Sequence, residues 1–140
     1  ELTSSETAAR KGIDNTPTVA VTINLRYLCE NVMQPLRDWY AKSINVSSAY
    51  RSPKLNKAIG GSSTSDHCEG RAIDFTLPKE DYKKVFEYIR NNLPFDQLIW
   101  EMGNDEAPQW IHVSFRLDNN RKQVLKAFKN GLGQTKYKPY

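Results

Sequence analysis

Histidine and cysteine are the scarcest chemistry-bearing residues in this 140-residue chain, with two of each. Cys29 and Cys68 stand far apart, so a cysteine-rich structural zinc site with paired spacing is excluded. They read as two small buried hydrophobes; a disulfide stays open, because spacing does not test its geometry. No apolar run approaches the roughly 20 residues needed to cross a bilayer, which excludes a helical membrane span. The charge is of neither sign in bulk: the net value is +4, and the lysines and arginines are scattered. With no nucleic-acid module motif and no aromatic interleaving among the basic residues, nucleic acid is not an expected partner. The chain opens on Glu1 without a basic-then-apolar leader, so a trimmed or processed start is expected. No internal repeat is visible.

What is present suits one globular domain: 39% of residues are hydrophobic and 26% charged, enough for a core and a solvated surface. "ELTSSETAARKGIDNTPT" carries capping hydroxyls ahead of Glu6 and then a Gly and Pro interruption, which predicts a short capped helix and a loop. From Val19 to about Tyr40, Leu25, Leu28, Val32 and Leu36 recur at helical spacing, with Pro35 expected to bend or end the helix. "INVSSAYRS" reads as a strand, and Pro53 to Ile59 as a short helix stopped by Gly60 and Gly61. "RAIDFTL" alternates as a strand. Tyr82, Val85, Phe86 and Ile89 give the clearest helical stripe. "DQLIWE" and "WIHVSF" read as two strands joined by a polar loop. A last helix is expected from Asp118 or Asn119, burying Val124, Leu125 and Phe128. Residues 1–128 would form the domain and 129–140 a basic, solvated tail bearing Lys136 and Lys138. The order predicts an α+β fold: a small antiparallel sheet with helices packed on one face. A monomer is expected.

The two histidines carry the chemistry. In "WIHVSF", Ile111 and Val113 share one strand face while Trp110, His112 and Ser114 share the other. In "RAIDF", Asp74 likewise lies opposite Ile73 and Phe75. If the two strands are near neighbours, both polar side chains project into one cleft, and His67 completes the group from the small-residue loop "GGSSTSDHCEG". Gly70 fits the tight turn that returns the chain toward Asp74. Two imidazoles and one carboxylate make a zinc set with a fourth position open for water, whose pKa zinc lowers toward about 7. A single histidine is more often structural or merely exposed, and the spacing is not the helical HExxH pattern.

Tyr50-Arg51-Ser52, then Ser65, His67, Gly70, Ala72 and Asp74, then Trp110 and His112 make a joint pattern that resembles the peptidase M15 family. These are zinc D-Ala-D-Ala carboxypeptidases and related L-Ala-D-Glu-type cell-wall endopeptidases, phage lysins among them. The likeness is to the compact phage and prophage branch, and it extends from "ELTSSETA" to "NNRKQVLKAF". It implies a Hedgehog/DD-peptidase-like fold, zinc held by His67, Asp74 and His112, and hydrolysis of an amide bond in peptidoglycan stem peptides. It also implies action on the bacterial wall, from the cell envelope or periplasm or as a phage-encoded protein.

By the same resemblance, Arg51 binds substrate or polarises the scissile carbonyl, where a guanidinium stabilises the developing oxyanion. Its structural alternative is a loop anchor. Ser65 either orients the His67 loop toward substrate or caps it. Trp110, with Trp100 and Tyr50, would line a substrate groove, or else pack. Many family members carry an acidic general base three positions before the last histidine. Here that position is Gln109, which cannot take a proton. Glu101 is the favoured substitute, with Asp105 and Glu106 as alternatives in the neighbouring loop. Gln109 also keeps a different class open: a zinc-containing but non-catalytic wall-binding or virion module.

Overall fold

The computed structural model describes residues 1–140. In chain order the elements are α1 (Glu6–Lys11), α2 (Val19–Leu28), α3 (Gln34–Tyr40), β1 (Asn45–Ser48), α4 (Pro53–Ala58), β2 (Ala72–Thr76), α5 (Tyr82–Asn92), β3 (Gln97–Glu101), β4 (Trp110–Ser114), β5 (Gln123–Lys129) and β6 (Thr135–Pro139). No helix is long and apolar enough to cross a membrane.

α1 starts where the Ser5 hydroxyl accepts from the Ala8 amide, and it ends on a left-handed Gly12. The long helix expected over Val19 to Tyr40 is α2 and α3 joined by a five-residue π turn, Cys29–Met33. Pro35 explains that turn. Its ring would collide with the Asn31 carbonyl in a regular α-helix, and it has no N–H to bond there. The wider turn ahead of it, in which the Gln34 amide reaches the Cys29 carbonyl, relieves the conflict. The helix therefore passes the proline rather than ending at it.

The sheet order is β1-β2-β4-β3-β5-β6. Every neighbouring pair is antiparallel except β3 and β5, which run parallel. The fold is α+β, with a six-stranded mixed sheet where a smaller antiparallel one was expected. One face carries Ile73, Phe75, Leu98, Trp100, Ile111 and Val113 into a core with Leu28 and Leu36 of α2–α3 and Val85, Phe86 and Ile89 of α5. Phe86 and Trp100 meet edge to face, with ring centres 5.3 Å apart. Truncating Phe86 to Ala would cost about 3–5 kcal/mol, from lost transfer energy and the cavity left behind.

Two expectations for the C-terminal part are overturned. Residues Gln123–Lys129 form β5 rather than a helix, and the expected tail contains β6, which pairs with β5 along Leu125↔Pro139 to Lys129↔Thr135. The expected boundary at residue 128 thus falls inside a strand. The residues read as a helix start are a turn clamp. The Asn120 side chain accepts from the Arg116 amide at 2.9 Å and donates to the Arg116 carbonyl at 2.6 Å, while Asn119 takes a left-handed φ of 54°.

The connection from β4 to β5 then wraps around Asp96, just ahead of β3. That buried carboxylate accepts from the Arg121 amide and Nε, both at 3.0 Å, and from its Nη2 at 2.6 Å. Arg116 lies 3.2 Å from it and 3.2 Å from Asp66. The Asp96 carbonyl accepts from the Gln123 amide at 2.9 Å, which sets the parallel register of β5 on β3. Backbone pairing and a buried charge cluster override a pattern that reads equally well as a helix.

Candidate metal centre

The strand alternation that sends Ile73, Phe75, Ile111 and Val113 into the core sends Asp74 and His112 to the opposite face. The register sets them directly across from one another. His67 arrives on a 3₁₀ turn, Asp66–Glu69, whose N-cap Ser65 accepts from the His67 amide at 3.3 Å. The turn closes on Gly70 at φ 68°, and a Cβ there would lie 2.7 Å from the Val21 carbonyl. Only glycine has the left-handed freedom and the absence of bulk that let this turn seat on α2.

The three side chains converge. Asp74 Oδ1 lies 2.8 Å from His112 Nδ1, and Asp74 Oδ2 lies 3.2 Å from His67 Nε2. The two rings meet edge to face with centres 5.2 Å apart. One ligand atom from each residue falls within 4.8 Å of the others. His67 Nδ1 lies 2.7 Å from the Ala49 carbonyl. A carbonyl only accepts, so Nδ1 carries a proton, and Nε2 is the ring atom turned toward the carboxylate. At 3.2 Å, Nε2 and the carboxylate oxygen need a proton or a metal cation between them.

This donor set fits a metal ion. A buried ring nitrogen aimed inward with its other nitrogen anchored on the backbone is how ligating histidines are held. Tetrahedral zinc with bonds of about 2.0–2.1 Å has ligand–ligand edges near 3.3 Å, close to the spacing between His67 and Asp74. Burial alone would lift the Asp74 carboxyl, but the hydrogen bonds and charge of the two imidazoles outweigh it and hold the group well below the usual carboxylate range. Burial would depress His112, but its hydrogen bond to Asp74, with the charges of Asp74, Glu101 and Asp66, raises it overall.

The cluster lines a cleft of about 740 Å³. Arg51 lines it, tied to the His67 loop by its amide, which donates to the His67 carbonyl at 3.1 Å, and by Nη2, 3.4 Å from the Ser65 hydroxyl. Its buried Nε has no partner. Ser65 therefore both caps the turn and meets Arg51. Glu101 lines the cleft and is 7% exposed. Burial first, and then the charge of Asp74, push its carboxyl up, with His112 opposing. Asp105 and Glu106 lie outside the cleft and are engaged elsewhere, Asp105 with Lys126 and Glu106 with Lys79 at 2.8 Å. Gln109 stands exposed at the cleft edge.

The aromatic expectations divide. Trp110 is half-buried and lines the cleft, whereas Trp100 and Tyr50 are core residues, Trp100 on the far side of the sheet. Cys29 and Cys68 are free and half-buried rather than fully buried. Sequence reasoning missed the far wall of the cleft: Leu125, Lys129, Thr135 and Tyr137. Its signal was present, because "KNGLGQTKYK" joins a short Gly-containing loop, closed by Gly133 at a left-handed φ of 73°, to the alternation of Thr135 and Tyr137 with lysines, the mark of a hairpin.

A half-buried His–Asp–His cluster in an open cleft is a donor set that a metal-dependent hydrolase can use. A family model described as Peptidase M15 matches residues 1–114, and the chain belongs to the peptidase M15 family. That membership makes it a hydrolase of the metallopeptidase kind by family. Peptidases of this family are typically zinc-dependent, and a peptidoglycan-related substrate follows at the family level. The matched stretch ends with β4, so β5 and β6 lie beyond it. No curated protein matches the chain.

Proposed function

We propose that this protein is a zinc peptidase that hydrolyses an amide bond in peptidoglycan stem peptides, as a D,D-carboxypeptidase or an endopeptidase. The observation that carries the reading is the convergence of His67, Asp74 and His112 in a cleft also lined by Arg51 and Glu101. His67 Nε2, an Asp74 oxygen and a His112 ring nitrogen would hold the zinc, with Ala49 fixing the His67 tautomer. Zinc bound there supplies Lewis acidity to water and to the substrate carbonyl.

The remaining work falls to side chains of the chain. Glu101 accepts the proton of the attacking water and returns it to the leaving amine, the part a carboxylate inside the cleft can play and Gln109 cannot. Arg51 donates to the scissile carbonyl oxygen as negative charge develops on it, an interaction that strengthens in the transition state. Ser65 keeps Arg51 beside the His67 turn. Trp110 offers an apolar wall for the peptide. The protein would act on the bacterial wall as a monomer.

The test is metal content by mass spectrometry together with muropeptide hydrolysis. One zinc per chain and release of a cleaved stem peptide are expected. Zinc retained with no cleavage of any muropeptide would instead leave a wall-binding or virion module.

A further inference from the structure

Four strands place one residue each in a single cross-sheet row. Trp110 of β4 faces Glu101 of β3, Glu101 faces Ala127 of β5, and Ala127 faces Tyr137 of β6. Ala127 is 1% exposed and has only a methyl group, so nothing tall stands between Glu101 and Tyr137. Their Cα atoms lie two strand spacings apart, about 10 Å, a gap within the reach of a tyrosine side chain over a residue as small as alanine. The ring lines the cleft yet stays 53% exposed, which leaves its surface free for a ligand. Partial burial first, and then the charges of Glu101 and Asp74, raise the Tyr137 phenol, so it remains a neutral hydrogen-bond donor in the cleft.

Lys129 stands on the same wall, steadied by its Nζ donating to the Thr135 hydroxyl at 2.8 Å, and no carboxylate neutralises it. Of the three carboxylates in the cleft, Asp66 is committed to Arg116 and Asp74 to the two histidines, while Glu101 is buried and makes no ion pair with Lys129. The cleft therefore has a cation on each side, Arg51 on the loop wall and Lys129 on the hairpin wall.

We propose that the β5–β6 hairpin is the second wall of the substrate cleft, with Tyr137 and Lys129 as specificity-determining contacts for an extended peptide carrying a carboxylate. Tyr137 covers the peptide over Ala127, and Lys129 pairs with the carboxylate. This rests on the reading of the cleft as a peptide site. It adds residues from beyond the stretch that the family model matches.

The test measures calorimetric binding of an acidic stem pentapeptide and of its fully amidated counterpart to the zinc-loaded full chain carrying Glu101→Gln, in which turnover is slowed enough for binding to be read. Added to that background, Lys129→Gln should weaken the acidic peptide about five- to tenfold and leave the amidated one unchanged, with Lys129→Arg restoring the preference. Tyr137→Ala should weaken both peptides about tenfold, with zinc content and melting temperature unchanged. Absence of peptide binding by the parent, or unaltered affinities in both the Lys129→Gln and Tyr137→Ala chains, would overturn the proposal. If the expected losses occur and the native Glu101 chain cleaves neither peptide, the hydrolase reading fails while the hairpin wall stands.

Discussion

Asp74 and Asp96 are both aspartates withdrawn from solvent, and both are ringed by nitrogen atoms. The nitrogens differ in kind. Asp96, fully buried, faces Arg116 and Arg121, whose guanidinium charges are permanent at any ordinary pH. Its attraction is satisfied within the chain, and it fastens the β4–β5 connection. Asp74 faces two imidazoles, whose ring nitrogens can either carry a proton or give their lone pairs to a metal. One carboxylate is closed by the protein; the other is left to be completed from outside. The contrast separates a structural anion from a ligand anion without reference to ancestry.

The largest test of this contrast sets His112→Ala against Asp96→Asn. His112→Ala should abolish both zinc binding and hydrolysis while circular dichroism stays native. Asp96→Asn should keep both. Next, Glu101→Gln should lower turnover by about 10²–10⁴ while zinc content holds, because a proton acceptor is lost and no ligand is. A smaller effect concerns stability. Zinc at 100 times its dissociation constant should stabilise the native chain by about 2.7 kcal/mol in urea unfolding, a gain that Asp74→Ala removes and Asp96→Asn preserves.

The smallest lies on the structural side. Asp96→Asn should cost about 2 kcal/mol, because both arginines are partly exposed and solvent screens the pairing. Burial would raise the Asp96 carboxyl, but the Arg121 hydrogen bonds and the two arginine charges win and hold it low. Its contribution is therefore complete above the unfolded value near 3.9 and is lost as pH falls through the native one. The substitution should flatten the acid limb of a stability–pH profile below about pH 4.

Most of the fold was legible wherever periodicity and burial agree. The stripe of α5 and the alternation of β2 and β4 placed the core face correctly, and hence also the face carrying Asp74 and His112. Their direct opposition was not legible, because register depends on pairings between strands far apart in sequence. The approach of His67 depends on Gly70 fitting against the Val21 carbonyl, a tertiary contact with no local signature. β5 was misread because Val124, Leu125 and Phe128 suit either period, and the Asp96 cluster that decides between them lies outside the segment. Pro35 was a real conflict, absorbed by a π turn that one-dimensional rules do not foresee.

The hydrogen bond that fixes the His67 ring ends on the main chain at Ala49, not on a side chain. Orientation of this imidazole is thereby insulated from point mutation: exchanging residue 49 for another small one leaves the oxygen in place. A deep mutational scan would find position 49 tolerant of small residues and intolerant of bulk. It would reveal nothing of the oxygen itself, which only a backbone ester or thioamide replacement could alter.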